Sequence, residues 1–141
     1  MRLVLDTGIL GQICHPRRHQ DARDWLGEAA AQHEILVSEV ADYELRRELL
    51  RIESARGLAR LDELIRELRY LPVTTATWRL AARLWARQRR AGRATASADS
   101  LDGDVLVAAQ ARSEAAVVIT SNIRHFEGFV MAMDWPDVPL A

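Results

Sequence analysis

The sequence predicts an α/β fold in three layers, with helices covering both faces of a central, mostly parallel sheet of four to five strands. Three observations predict it. The runs Leu3-Val4-Leu5, Ile35-Leu36-Val37 and Val117-Val118-Ile119 are continuously apolar, as strands buried on both faces are. The stretches between them place apolar residues at helical spacing. Strand-like and helix-like segments alternate along the chain, the order that builds parallel sheets.

Arg2 to Leu5 reads as the first strand, and Thr7 to Cys14 as a helix that His15-Pro16 stops. Residues 20–32, with Trp25, Leu26 and an alanine run, suit a second helix, and Ile35 to Val37 a second strand closed by Ser38. From Glu39 to Glu53, the residues Val40, Tyr43, Leu45, Leu49 and Ile52 recur at helical intervals; Ala55 to Leu68 repeats the pattern, with Gly57 marking the join. Tyr70 to Val73 is a third extended piece. Thr75 to Arg90 forms a fifth helix with Trp78, Ala81, Leu84 and Trp85 facing inward and Gly92 as its stop. Residues 94–101 read as a small polar connection, Asp102 to Arg112 as a helix and Val117 to Thr120 as a fourth strand. A helical turn from Ile123 to Phe126 and a weak edge strand from Phe129 to Met133 follow.

A length of 141 residues fits one domain, residues 1–141, and an apolar fraction of 49% supports a sizeable core. No apolar run approaches the ~20 residues needed to cross a bilayer, and no leader-like segment is present, so a cytoplasmic protein without membrane contact is expected. Cys14 is the sole cysteine and stands outside any His/Cys cluster, which argues against zinc and for a small buried residue. The net charge of −1 lacks the strongly basic balance of many nucleic-acid binders, although an average can hide a patch. All non-histidine basic residues are arginine, whose planar fork of donors suits phosphate.

The chemistry concentrates in acids at strand ends. Asp6 follows the first strand directly, and a carboxylate beside an apolar strand costs several kcal/mol unless something compensates it. Two readings are open, a helix N-cap and a site ligand. In open α/β sheets ligands bind beyond the carboxyl ends of the strands. Asn122 follows the fourth strand, Asp104 lies in the first turn of the helix leading into it, and Glu44 lies one to two turns into the helix after the second. These four oxygen-bearing side chains can meet at one crevice. Carboxylates so close resist joint ionisation, which makes sense with a divalent cation among them. Magnesium or manganese suits oxygen ligands, and magnesium retains waters and open positions for a substrate phosphate. Such a layout suits metal-assisted phosphodiester hydrolysis.

Four segments carry a resemblance across nearly the whole chain: Leu5-Asp6-Thr7-Gly8-Ile9-Leu10, Val37 to Leu45, Asp102-Gly103-Asp104-Val105-Leu106-Val107-Ala108-Ala109, and Thr120-Ser121-Asn122-Ile123-Arg124-His125-Phe126. They are similar to the LDTxxL, VSxxxxxEL, DxDxxIAA and TxNxxHF motifs of PIN domains, and within these of the VapC-type toxins of toxin-antitoxin modules. The resemblance implies a PIN-like α/β/α fold and a ribonuclease with Asp6, Glu44, Asp104 and Asn122 catalytic, and with Asp6, Asp104 and Glu44 holding Mg²⁺ or Mn²⁺. Relatives often carry aspartate where Asn122 stands, and the neutral amide weakens the case for a second ion. It further implies an RNA substrate such as tRNA or another structured RNA, a cognate VapB-type antitoxin and a homodimer. Thr7, Asp102, Thr120, Arg124 and His125 are expected to support the site or contact RNA.

Other charged and aromatic residues have plainer readings. Glu39 and Asp99 suit helix starts, and Asp102 suits either a cap or a supporting role. Arg87, Arg89, Arg90 and Arg93 fit a helix C-terminus as readily as an RNA-facing patch. Trp25, Trp78 and Trp85 read as core or interface. Two further functions stay open: a PIN nuclease in RNA processing without an antitoxin, and a PIN-like RNA- or protein-binding module with little catalysis.

Overall fold

The structure is a computed structural model that describes residues 1–92 and 98–141, with the side chains of 98–101 outside the description. Five strands form one sheet in the order β3-β2-β1-β4-β5, every neighbouring pair parallel: β1 (Arg2–Leu5), β2 (Glu34–Ser38), β3 (Arg69–Leu71), β4 (Val117–Ile119) and β5 (Ala132–Met133). The helices α1 (Thr7–Cys14), α2 (Gln20–Gln32), α3 (Glu39–Arg51), α4 (Ala55–Glu67), α5 (Thr75–Arg90) and α6 (Ala98–Ser113) connect them. This is the mostly parallel, helix-flanked sheet expected from the apolar runs.

Side-chain alternation along each strand splits the core into two layers. Leu3, Leu5, Ile35, Val37, Val117 and Ile119 pack with α1, α2 and α4, whereas Val4, Leu36 and Val118 face α5, α6, Phe126 and Phe129. Both faces being covered explains the continuous apolar runs. Each large apolar side chain so buried contributes about 1.5–3 kcal/mol. At the amino-terminal rim, Arg2 and Arg69 both pair with Glu34, at 3.2 and 2.9 Å, and with Glu114, at 3.6 and 2.9 Å, tying β1, β2 and β3 together. Among the described residues no helix is long and apolar enough to cross a membrane.

Several elements differ from the expectation. Trp78 and Trp85 do not face inward: they are 58% and 40% exposed, while Thr77, Ala81, Leu84 and Gln88 form the buried face of α5. The polar Thr77 is accommodated because its hydroxyl and that of Thr74 complete a reciprocal cap at the helix start. Gly57 is not the join between α3 and α4. It lies in the first turn of α4, its N–H donating to Ser54 Oγ, while Glu53, at φ 53°, makes the turn.

The third strand ends at Leu71, since Pro72 has no N–H to pair and the Val73 N–H goes instead to Glu39 Oε1 at 2.8 Å. Glu39 is thus a structural tie. The last strand is shorter than expected because the N–H groups of Phe129 and Val130 close a turn on the Phe126 carbonyl. The connection expected over 94–101 lies partly outside the described residues, and its end is already helix, since α6 begins at Ala98. Asp104 therefore stands in the second turn of its helix, not the first, and Asp102 is not a cap. The side chain of Asp99 and the whole of Arg93 lie outside the description.

Candidate active site

The sheet changes direction of growth between β1 and β4, where β1 is followed by β2 on one side while β4 pairs on the other. The Asp6 N–H donates to the Ile119 carbonyl at 3.1 Å and the Thr120 N–H to Met133 at 3.0 Å, so pairing persists to the carboxyl rim. Ligands favour such a switch point in α/β folds. A cavity of about 260 Å³ opens there, lined by Asp6, Thr7, Gly8, Glu44, Asp104, Val107, Ser121, Asn122, His125 and Phe126.

Asp6 is the N-cap of α1 and also stands at the cavity. Its Oδ1 caps α1 by accepting the Ile9 N–H at 2.9 Å, and its carboxylate also lines the cavity. Burial raises its pKa; the Ile9 N–H, the Thr120 hydroxyl and the Gly8 N–H pull it down, and the charge of Glu44 pushes it up again. Glu44 comes from α3, where Ser38 caps the helix start and points it at the rim. The Thr7 hydroxyl donates to Glu44 Oε1 at 2.8 Å.

Asp104 comes from α6. Burial pushes its pKa up to about 6, His125 opposes this, and the charges of Glu44 and Asp6 add to it. Its Oδ2 lies 3.1 Å from His125 Nδ1. Asn122 Nδ2 stands 2.9 Å from His125 Nε2. The one imidazole therefore faces both Asn122 and Asp104. The turn after β4 thus clasps the α6 carboxylate.

The cavity therefore unites Asp6, Glu44, Asp104, Asn122, Thr7 and His125, with Thr120 buried behind Asp6. Two expected supporters stand elsewhere. Arg124 is exposed and does not line the cavity, because the tight turn Ile123–His125 sends adjacent side chains in different directions. Asp102 is exposed and lines the neighbouring hollow beside Trp78 and Trp85, since two residues along a helix rotate it ~200° from Asp104.

Sequence reasoning passed over Ser121 and the apolar wall of Val107 and Phe126. Val107 was available from its spacing, three residues after Asp104 on one helix face. The role of Gly103 was also missed: a Cβ there would approach Glu44 Oε2 to 3.0 Å, so glycine leaves room for that carboxylate.

Three carboxylates, two of them with raised pKa values, form a donor set suited to a hard divalent cation, which would relieve their repulsion. Among the described residues no three His, Cys, Asp or Glu side chains already stand close enough to enclose an ion.

Among curated protein sequences none matches this chain significantly. Solved structures do. A chain of VapBC2 from Rickettsia felis, bound to a promoter DNA fragment, superposes with TM-score 0.79 at 19% identity, over 96% of this chain and 99% of that one. DNA-bound VapBC from Salmonella typhimurium gives 0.73 at 22% identity, over 96% and 98%. Mycobacterium tuberculosis VapC20, a sarcin-ricin loop cleaving toxin, gives 0.58 at 18% identity, over 82% and 86%. At these identities the likeness is one of fold. The PIN domain family model matches residues 3–128, nearly the whole length of the protein, and the chain belongs to the PIN domain family.

Proposed function

We propose that this protein is a divalent-metal-dependent endoribonuclease and the toxin of a type II toxin-antitoxin module, restrained by a VapB-type antitoxin and working as a homodimer. The observation that carries the catalytic part is the meeting of Asp6, Glu44 and Asp104, from three separate helices' ends and faces, in one cavity at the sheet's switch point. The partner and the RNA substrate are supported by the character of the similar structures, which include VapBC complexes and a toxin that cleaves the sarcin-ricin loop.

Asp6 and Asp104 are the direct ligands in this reading, with Glu44 completing the site or acting through water. Bound magnesium or manganese would lower the pKa of a water and offset charge developing on the phosphate. The chain's own contribution is preorganisation. Asp6 is fixed by the Ile9 N–H, Glu44 by the Thr7 hydroxyl and Asp104 by His125, so each acceptor is oriented before substrate arrives. Val107 and Phe126 supply the apolar part of the cavity wall. Asn122, engaged with His125 and uncharged, adds no fourth carboxylate, and one ion per site is the expected occupancy.

The biological role is tested by inducing the protein in bacteria. Growth arrest that disappears with Asp6→Asn, and that is relieved by a small protein encoded beside it, supports the toxin reading. Normal growth with well-expressed, folded wild type contradicts it.

A further inference from the structure

A second hollow, of about 430 Å³, adjoins the acid cavity and shares Glu44 with it as a common wall. Its other walls include Glu39, Tyr43, Arg47, Val73, Trp78 and Leu106. Two of these are large rings left in water: Tyr43 is 61% exposed and Trp78 is 58% exposed. The Arg47 guanidinium stands 5.1 Å from the centre of the Tyr43 ring.

Resting on the ribonuclease reading above, we propose that this hollow is a subsite for one unpaired nucleobase of the RNA, next to the phosphate that the acids address. A nuclease's substrate continues beyond its scissile phosphate, and this hollow is the space immediately past Glu44. Its chemistry suits a base. Exposed aromatic rings provide stacking faces, which single-stranded nucleic acids use irrespective of sequence. Arg47 brings a cation to a rim otherwise occupied by Glu39 and Glu44, where the next phosphate needs one. One Glu39 oxygen accepts the Val73 N–H, and its other oxygen can accept a hydrogen bond from an N–H of the base. Gly103 also lines this hollow, and its missing Cβ leaves room for Glu44 where the two compartments meet.

The test uses a short RNA that the wild type cuts, remade with an abasic site at each nucleotide flanking the cut. kcat and KM are measured for wild type and for Trp78→Ala and Tyr43→Ala, whose folding is checked by thermal melting. One abasic position should raise the wild-type KM about tenfold, the size of a lost base-aromatic stack, with kcat changed far less. The same abasic site should then cost Trp78→Ala little more. Full additivity of the two losses, or wild-type indifference to every abasic site, overturns the subsite. Should the wild type cut no RNA, the ribonuclease reading fails, and fluorescence anisotropy with the labelled oligonucleotide decides the hollow separately. Weaker binding by both variants upholds it; equal binding overturns it and leaves the face to a protein segment.

Discussion

Asp104 Oδ2 lies 3.1 Å from His125 Nδ1, which joins a carboxylate on α6 to an imidazole in the turn after β4. That contact sits where the two growth directions of the sheet part, and it opposes the rise that burial imposes on the Asp104 pKa.

The pH dependence follows from Asp104. Burial pushes it from the ordinary 3.8 up to about 6, against the pull of His125. Between these values the folded state binds more protons than the unfolded chain, so this group's contribution is present below 3.8 and is lost as pH rises through about 6. Magnesium-free protein should therefore lose stability from pH 5 to pH 7. Asp104→Asn should flatten that slope and raise stability at pH 7.5 by about 1–2 kcal/mol while removing catalysis by orders of magnitude. Thermal melts across pH, with EDTA present, check the first part; an unchanged slope would contradict it.

Thr7→Val should release Glu44 while keeping the shape of the residue. Loss of one hydroxyl-carboxylate bond costs about 1 kcal/mol or less of stability here, yet kcat/KM should fall about tenfold because a loosely held carboxylate acts less well. Paired measurement of melting and of RNA cleavage separates the two effects. Wild-type cleavage by this variant would remove Glu44 orientation from the account.

Gly57→Ala tests the α3-α4 junction. Alanine favours helices, but the new Cβ would come within 2.8 Å of both Leu49 Cδ2 and Ser54 Oγ, crowding the core and the cap together. Denaturant unfolding should show destabilisation by about 1–2 kcal/mol. A stabilised variant would mean that the junction relaxes freely.

Gln110→Leu probes the buried polar link beneath the site. Gln110 accepts from Ser38 Oγ at 2.5 Å and donates to the Leu71 carbonyl at 2.8 Å, joining α6 to the ends of β2 and β3. Removing it leaves two buried groups unpaired, and unfolding free energy should fall by about 2–3 kcal/mol. A neutral result would show that water replaces the amide.

The sheet and the site were legible for separate physical reasons. Strands covered on both faces must be apolar throughout, so Leu3-Val4-Leu5 and Val117-Val118-Ile119 announced themselves. Asp6 stood out as a carboxylate directly after a buried strand, although a helix cap explained it equally, and the resemblance of residues 102–109 to the PIN motif selected Asp104 over its neighbours. The α5 face was misread because hydrophobicity pointed to Trp78 and Trp85, whereas the inward stripe, one residue away, includes Thr77 and Gln88. Local pairing satisfies Thr77, and no composition rule anticipates that. Nor does composition show that Gly103 clears space for Glu44, which depends on two helices meeting.

The most direct measurement is cleavage of total cellular RNA by purified wild type and Asp6→Asn, with magnesium, with manganese and with EDTA. Asparagine caps helices as well as aspartate does, so the variant keeps α1 and loses the charge. Discrete fragments that require the metal and vanish with Asp6→Asn are the predicted result. Fragments that persist in EDTA or in the variant, or no cleavage by folded, antitoxin-free wild type, would contradict the account.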